Sequence, residues 1–195
     1  LVFPLAVGPM TARRLYMGVF VCLFHETNVV KIQKKKLSLS IDKNNNRVKR
    51  LTLMMNDENI LIRALEPEDL EYLYKWENNM DLWDVSDTLT PFSHFTLKKY
   101  VDHAHEDIYS SKQLRLMIAR LSDREPLGLV DLYDFDPYHQ RAGLGIMIHN
   151  AENRKQGYAS SAIKLTLDYC FEVLGLHQVY SSVPSCNIAS RKLFE

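Results

Sequence analysis

Cysteine is scarce. The 195 residues hold three, Cys22, Cys170 and Cys186, an odd number spaced too widely for a disulfide framework or for the usual zinc patterns. That usage fits a reducing compartment, the cytoplasm. Net charge is absent as well, with 24 Lys and Arg against 24 Asp and Glu. No interval repeats, which excludes solenoids and propellers. The phosphate-loop pattern G-x-x-x-x-G-K-[ST] does not occur, nor does the hydrolase elbow G-x-S-x-G. Gly143-Leu144-Gly145 begins a G-x-G, but the third glycine of a dinucleotide fingerprint would fall at Ile148. His103 and His105 flank Ala104 near a helix end and point to different faces, so no metal site is expected.

What is present is uneven. Residues 1–50 carry ten Lys and Arg against two Asp and Glu, a balance of +8, while residues 51–195 carry fourteen against twenty-two, a balance of −8. The stretch KIQKKKLSLSIDKNNNRVKR is basic, Asn-rich and poor in apolar periodicity. Residues 1–55 are therefore read as a basic extension, disordered or non-native. Its apolar run from Leu15 to Phe24 is too short to span a bilayer, and HETNVV after it offers no small-residue cleavage site. Neither nucleic acid nor a membrane is expected as a partner.

Residues 56–195 read as one domain, and overall contents of 46 % hydrophobic and 25 % charged residues are those of an ordinary globular chain. ILIRAL is strand-like. EPEDLEYLYKWE follows as a helix with Pro67 in its first turn and an apolar face of Leu70, Leu73 and Tyr74. TLKKYVDHA repeats that logic with Thr96 as its cap. LRLMIARL, LGLVDLYDF and AGLGIMI are three strands joined by short turns, hence an antiparallel meander. A helix from about Gly157 to Leu174, stopped by Gly175, then leads to the strand HQVYSSV and to a last helix capped by Asn187. Strand, long helix, strand is a crossover, which sets HQVYSSV parallel to AGLGIMI. The expected fold is α/β, a mixed and mostly antiparallel sheet with one parallel β-α-β crossover and helices on both faces.

Between AGLGIMI and that helix stands NRKQGYASSAIKL. A helix start offers free N–H groups and a positive dipole end, so the loop suits an anion. Its pattern Arg154-x-x-Gly157-x-Ala159, at a strand-to-helix junction, resembles the acetyl-CoA loop [QR]-x-x-G-x-[GA] of the GNAT superfamily of N-acetyltransferases. GLVDLYDFDPYHQRAGLGIMI and LDYCFEVLGLHQVY look most like the bacterial spermidine and diamine acetyltransferases and their relatives that acetylate ribosomal-protein amino termini. The resemblance covers about residues 59–195. In that family the last helix is followed by two more strands, which would be missing here, and the polyamine enzymes carry a tyrosine where this chain has Phe194.

The resemblance implies acetyl-CoA as cofactor, with its pyrophosphate on the loop Arg154, Lys155, Gln156, Gly157, Tyr158, Ala159 and Ser160. The pantetheine arm would pair with the backbone of Ile146, Met147 and Ile148, with Asn187 nearby. The N–H of Met147 or a neighbour would face the thioester oxygen, and Phe194 would stand where the family places its general acid. The acceptor must lose a proton, and a carboxylate acting through water can take it; Asp131 and Asp134 are the candidates, with Asp131 favoured. WENNMDLWDVSD adds Glu77, Asp81, Asp84 and Asp87 among Trp76 and Trp83, a setting that suits a polycation. The expected activity is acetyl transfer to a small-molecule primary amine such as spermidine. Acetylation of a ribosomal-protein amino terminus and a catalytically weak acyl-CoA-binding module are the alternatives, and a homo-oligomer is left open.

Overall fold

Near-continuous burial along the central strands marks a single sheet with a core on either side. The computed structural model describes residues 27–33, 55–83 and 88–195. Its strands are β1 (Thr27–Gln33), β2 (Ile60–Ala64), β3 (Leu114–Arg120), β4 (Pro126–Asp136), β5 (Arg141–Ile148) and β6 (Gln178–Pro184), in the order β1-β6-β5-β4-β3-β2. Short turns keep β3, β4 and β5 antiparallel. Only β5 and β6 run parallel, because helix α4 (Tyr158–Asp168) returns the chain across one face.

Even-numbered residues of β5 and β4, such as Leu144 and Val130, join Ala162 and Ile163 of α4 and Phe194 of α5 (Ile188–Phe194) on one face. Odd-numbered Leu129 and Met147 meet Leu73 and Trp76 of α1 (Leu70–Glu77) and Val101 of α2 (His94–Asp102) on the other. A short α3 (Ile108–Ser111) leads into β3. No helix among the described residues is long and apolar enough to cross a membrane.

Several local expectations change. Ser93, not Thr96, caps α2, its hydroxyl accepting the Thr96 N–H at 3.2 Å. Tyr74 faces outward from α1 and Trp76 is the buried aromatic, because the sheet packs against a face turned toward the helix's last turn. The long helix stops as α at Asp168 and widens into a π turn over Tyr169–Val173 before Gly175, whose φ is +67°. Asn187 does cap α5, accepting the Ser190 N–H at 3.1 Å.

The largest change concerns the basic extension. Residues 27–33 form β1 and pair antiparallel with β6 from Thr27↔Pro184 to Gln33↔Gln178. Val30 and Ile32 turn toward the core while Val29 and Lys31 face out, and β6 gains partners for edge groups that otherwise need water. Two inward side chains are a weak signal beside three consecutive lysines. Apart from residue 55, the remainder of 1–55 lies outside the described residues, as do Asp84 and Asp87.

Candidate active site

The parallel pair is short. β5 and β6 are bonded only over Arg141–Gly143 and Gln178–Tyr180, after which β5 stays with β4 as far as Ile148 and β6 stays with β1 as far as Pro184. The two strands part into a fork. A cleft of about 280 Å³, its open mouth included, lies there between Gly145 and Ile146 on one limb, Ser182 and Pro184 on the other, and Asn187 and Phe194 of α5.

Parity decides which backbone groups face the gap. His149 donates its N–H to the Leu127 carbonyl on the β4 side at 3.0 Å. Alternation along an antiparallel ladder then gives Met147 the same direction, toward its partner Leu129, and turns the N–H groups of Ile146 and Ile148 to the fork. The expectation for Met147 is thereby corrected: its N–H is used inside the sheet, and Ile146 is the neighbour that presents one to the cleft. The Ile148 carbonyl, also on the open side, accepts from Arg154 Nε at 3.1 Å.

Beyond Ile148 the loop bends through left-handed conformations at Lys155 (φ +62°) and Gly157 (φ +86°), and α4 starts at once. No side chain caps it, so the first N–H groups of Tyr158, Ala159 and Ser160 point outward without helix partners. A Cβ built on Gly157 meets nothing within 4 Å, which leaves open space over that start. Lys155, Gln156 and Ser160 are exposed, and Tyr158 and Ala159 half-buried. Arg154 does something else: its guanidinium turns back onto the carbonyls of Ile148 and of His149, the latter at 3.0 Å, and ties the loop to the end of β5. A polar chain carrying a pyrophosphate fits this combination, amides along the fork and anion at the helix start.

On the other face of the fork sits a buried ionic cluster. Arg115 of β3 donates from Nε and Nη2 to the two oxygens of Asp131 (2.6 and 3.1 Å) and from Nη1 to Glu77 Oε1 (2.6 Å). All three residues are at most 6 % exposed. Asp131 pairs across the ladder with Gly145, which brings the cluster to the point where the strands part. Burial opposes the charge of Arg115, yet Asp131, Tyr100 and Glu77 hold its pKa well above the ordinary value. Burial likewise raises Asp131, against the pull of Arg115. The Tyr100 ring lies 5.4 Å from the guanidinium, and burial pushes its hydroxyl up to about 12.

This overturns Asp131 as a water-mediated base, since both its oxygens are held by Arg115 away from solvent. Asp134 is exposed at φ +48°, where the register shifts, and the Tyr180 hydroxyl lies 3.5 Å from it. Asp81 is exposed, and its backbone N–H is held by the Asn79 side chain at 3.1 Å. Arg115 went unread in the sequence; its signal is a cation at the same strand parity as buried Met117. Among the described residues no group of three His, Cys, Asp or Glu could hold a metal, and the Nδ1 atoms of His103 and His105 lie 2.6 and 2.8 Å from the carbonyls of Lys99 and Asp102.

His149 closes the site toward α1, its ring stacked on Trp76 at 5.1 Å and 8 % exposed. Burial, with Lys75 and Arg154 adding positive charge, lowers its pKa to about 4. The unfolded chain takes up this proton near pH 6.5. Between those values the unfolded state binds more protons, so the stability present above pH 6.5 is lost as the pH falls toward 4. We expect His149→Phe to lessen this acid loss by on the order of 2 kcal/mol. Urea unfolding of both proteins at pH 7 and pH 4.5 checks it; identical losses would refute it.

A forked parallel pair beside an uncapped helix start, with the backbone of one limb free to bond an extended arm, defines a coenzyme A-dependent acyltransferase. The chain belongs to the GNAT family, whose acetyltransferase domain matches residues 59–195. It is an N-acetyltransferase that uses acetyl-CoA and an amine acceptor. Over 137 residues it is 31 % identical to the spermidine N(1)-acetyltransferase of Escherichia coli K12, covering 69 % of each chain. The crystal structure of spermidine N-acetyltransferase from Vibrio cholerae in complex with CoA and spermine superposes with a TM-score of 0.63 at 27 % identity, over 71 % of this chain and 79 % of that one. A dodecameric structure of spermidine N-acetyltransferase from Vibrio cholerae in an intermediate state gives 0.57 at 25 % identity, over 71 % and 77 %.

Proposed function

We propose that the acceptor is a polyamine such as spermidine or spermine. The observation that carries this reading is the buried cluster at the fork, where two carboxylates, Glu77 and Asp131, face one guanidinium. A cationic amine approaching the parted strands is drawn by the net negative charge of this cluster, which lies buried beneath the surface. The spermidine enzymes among the relatives support the same choice. In this reading the Ile146 N–H stabilises the thioester oxygen as charge develops on it. The N–H groups of 158–160 hold the pyrophosphate with Lys155 and Gln156 at the rim, and Asn187 and Phe194 line the arm. Asp131 orients Arg115 and Glu77, and the acceptor's proton leaves to water.

The catalytic unit is residues 56–195 with β1 lent by the segment ahead. It works as a homo-oligomer, by analogy with the dodecameric relative, and in the cytoplasm, in keeping with the free thiols Cys170 and Cys186. Acetyl-CoA consumption with spermidine, with an amino-terminal peptide of a ribosomal protein and without acceptor tests the reading. We expect turnover with spermidine whose kcat/KM drops roughly tenfold between 50 mM and 500 mM salt as screening weakens the attraction. Preference for the peptide would identify a protein amino-terminal acetyltransferase instead. Acetyl-CoA binding without turnover of either acceptor would leave a weak acyl-CoA-binding module.

A further inference from the structure

One cation on the α4 side of the sheet has no place in this scheme. Arg120 ends β3 at the parity of Leu116 and Ile118, which belong to the core beneath α4. The turn to β4 fixes its backbone: the Arg120 N–H donates to the Glu125 carbonyl at 2.9 Å, and its carbonyl accepts from the Arg124 N–H at 2.9 Å. The guanidinium serves two groups of partners. Nη1 donates to Asp123 Oδ2 at 2.7 Å and to Glu125 Oε2 at 2.6 Å, so two carboxylates of the same turn already answer its charge. Nη2 reaches the Asn153 side-chain oxygen at 3.4 Å, and the Tyr158 hydroxyl hydrogen-bonds to the same guanidinium. Asn153 closes a 3-10 turn, Ala151–Asn153, and Tyr158 opens α4. Between them lie the two left-handed residues, Lys155 and Gly157. A residue with a Cβ stays left-handed only where its surroundings over-determine it. Arg154 ties this stretch to the end of β5, and Arg120 joins its two ends.

We propose that Arg120 is a positioning residue for the cofactor: it brackets the loop at Asn153 and Tyr158 and so presents the N–H groups of 158–160 as a preformed pyrophosphate site. The inference rests on the reading that the pyrophosphate lies at that helix start. With Asp123 and Glu125 on its Nη1, Arg120 acts through the loop and is not itself the anion's ligand. The entropy of ordering the bend is then lost on folding, before the cofactor arrives, and affinity rises accordingly.

Arg120→Met keeps an apolar stem and removes the bracket. We expect amide hydrogen exchange of residues 153–160 to quicken on the order of tenfold, with the strands unchanged. Coenzyme A should bind about tenfold more weakly in calorimetry, while pantetheine, which lacks the pyrophosphate, should bind as it does to the parent. KM for acetyl-CoA should rise by a similar factor at unchanged kcat. The unfolding temperature should stay within about 3 °C, since exposed ion pairs add little to stability. Tyr158→Phe removes one of the two loop contacts and keeps its N–H; it should weaken coenzyme A about threefold and add little on top of Arg120→Met. Unchanged loop exchange would overturn the proposal even if affinity fell, because the arginine would then touch the anion directly. An equal loss for coenzyme A and pantetheine would overturn it as well, marking general damage. If the parent protein bound coenzyme A no more tightly than pantetheine, the pyrophosphate reading would fail, while the exchange result still decided whether Arg120 holds the loop.

Discussion

Gly157→Glu should lose acetyl-CoA affinity by more than about a hundredfold while the fold persists. The position is left-handed at φ +86°, a conformation that costs a residue with a Cβ roughly 1–2 kcal/mol. That strain falls on an exposed loop and leaves the core intact. The side chain would then extend into space that is open now, directly over the first N–H groups of α4. A carboxylate there competes for the same donors and repels a pyrophosphate, and a hundredfold loss corresponds to about 2.8 kcal/mol. Gly157→Ala separates the two effects: it carries the strain without reaching the anion site and should lose tenfold or less. Calorimetry with circular dichroism on both variants reads the outcome. Equal, small losses for Glu and Ala would show that the pyrophosphate lies elsewhere.

Arg115→Met should unfold at a temperature lower by roughly 10 °C or more. Removing the guanidinium leaves Glu77 and Asp131 buried on neighbouring elements with the charge that bound them gone, and breaking a buried pair from one side typically costs about 3–5 kcal/mol. The ion pair also joins α1 to β3 and β4, so the acceptor side of the fork should loosen with it. Arg115→Lys is not a mild change here, because one ammonium cannot reproduce the planar fork that bonds both oxygens of Asp131 and one of Glu77. Adding Glu77→Gln and Asp131→Asn to Arg115→Met should recover much of the loss by removing the stranded charges. Thermal unfolding of the triple variant at or below the single variant would mean that the cluster is not held by charge pairing.

The sequence alone determined the order of the strands' pairing in the middle of the sheet, the crossover, and the loop from Arg154 to Ser160. These are local signals: short turns force antiparallel neighbours, a strand followed by a long helix forces a parallel return, and a glycine at a helix start marks where the backbone turns left-handed. Trp76 and Glu77 were legible as part of an acidic, aromatic stretch, but not as the pair that reaches the buried face. That choice depends on which side of α1 the sheet covers.

Only the tertiary structure decided the rest. Whether Met147 or Ile146 offers its N–H to the fork is a matter of ladder parity, fixed by the bond from His149 to Leu127. Asp131 reads as a base until Arg115, sixteen residues earlier, is seen closing on both its oxygens. Residues 27–33 read as part of a basic tail until β6 gives Val30 and Ile32 a face to cover. Arg120 is one cation in a charged turn until Asn153 and Tyr158 come to its guanidinium. Each of these is a contact between residues far apart in the chain, and sequence spacing carries no information about distances that only packing sets.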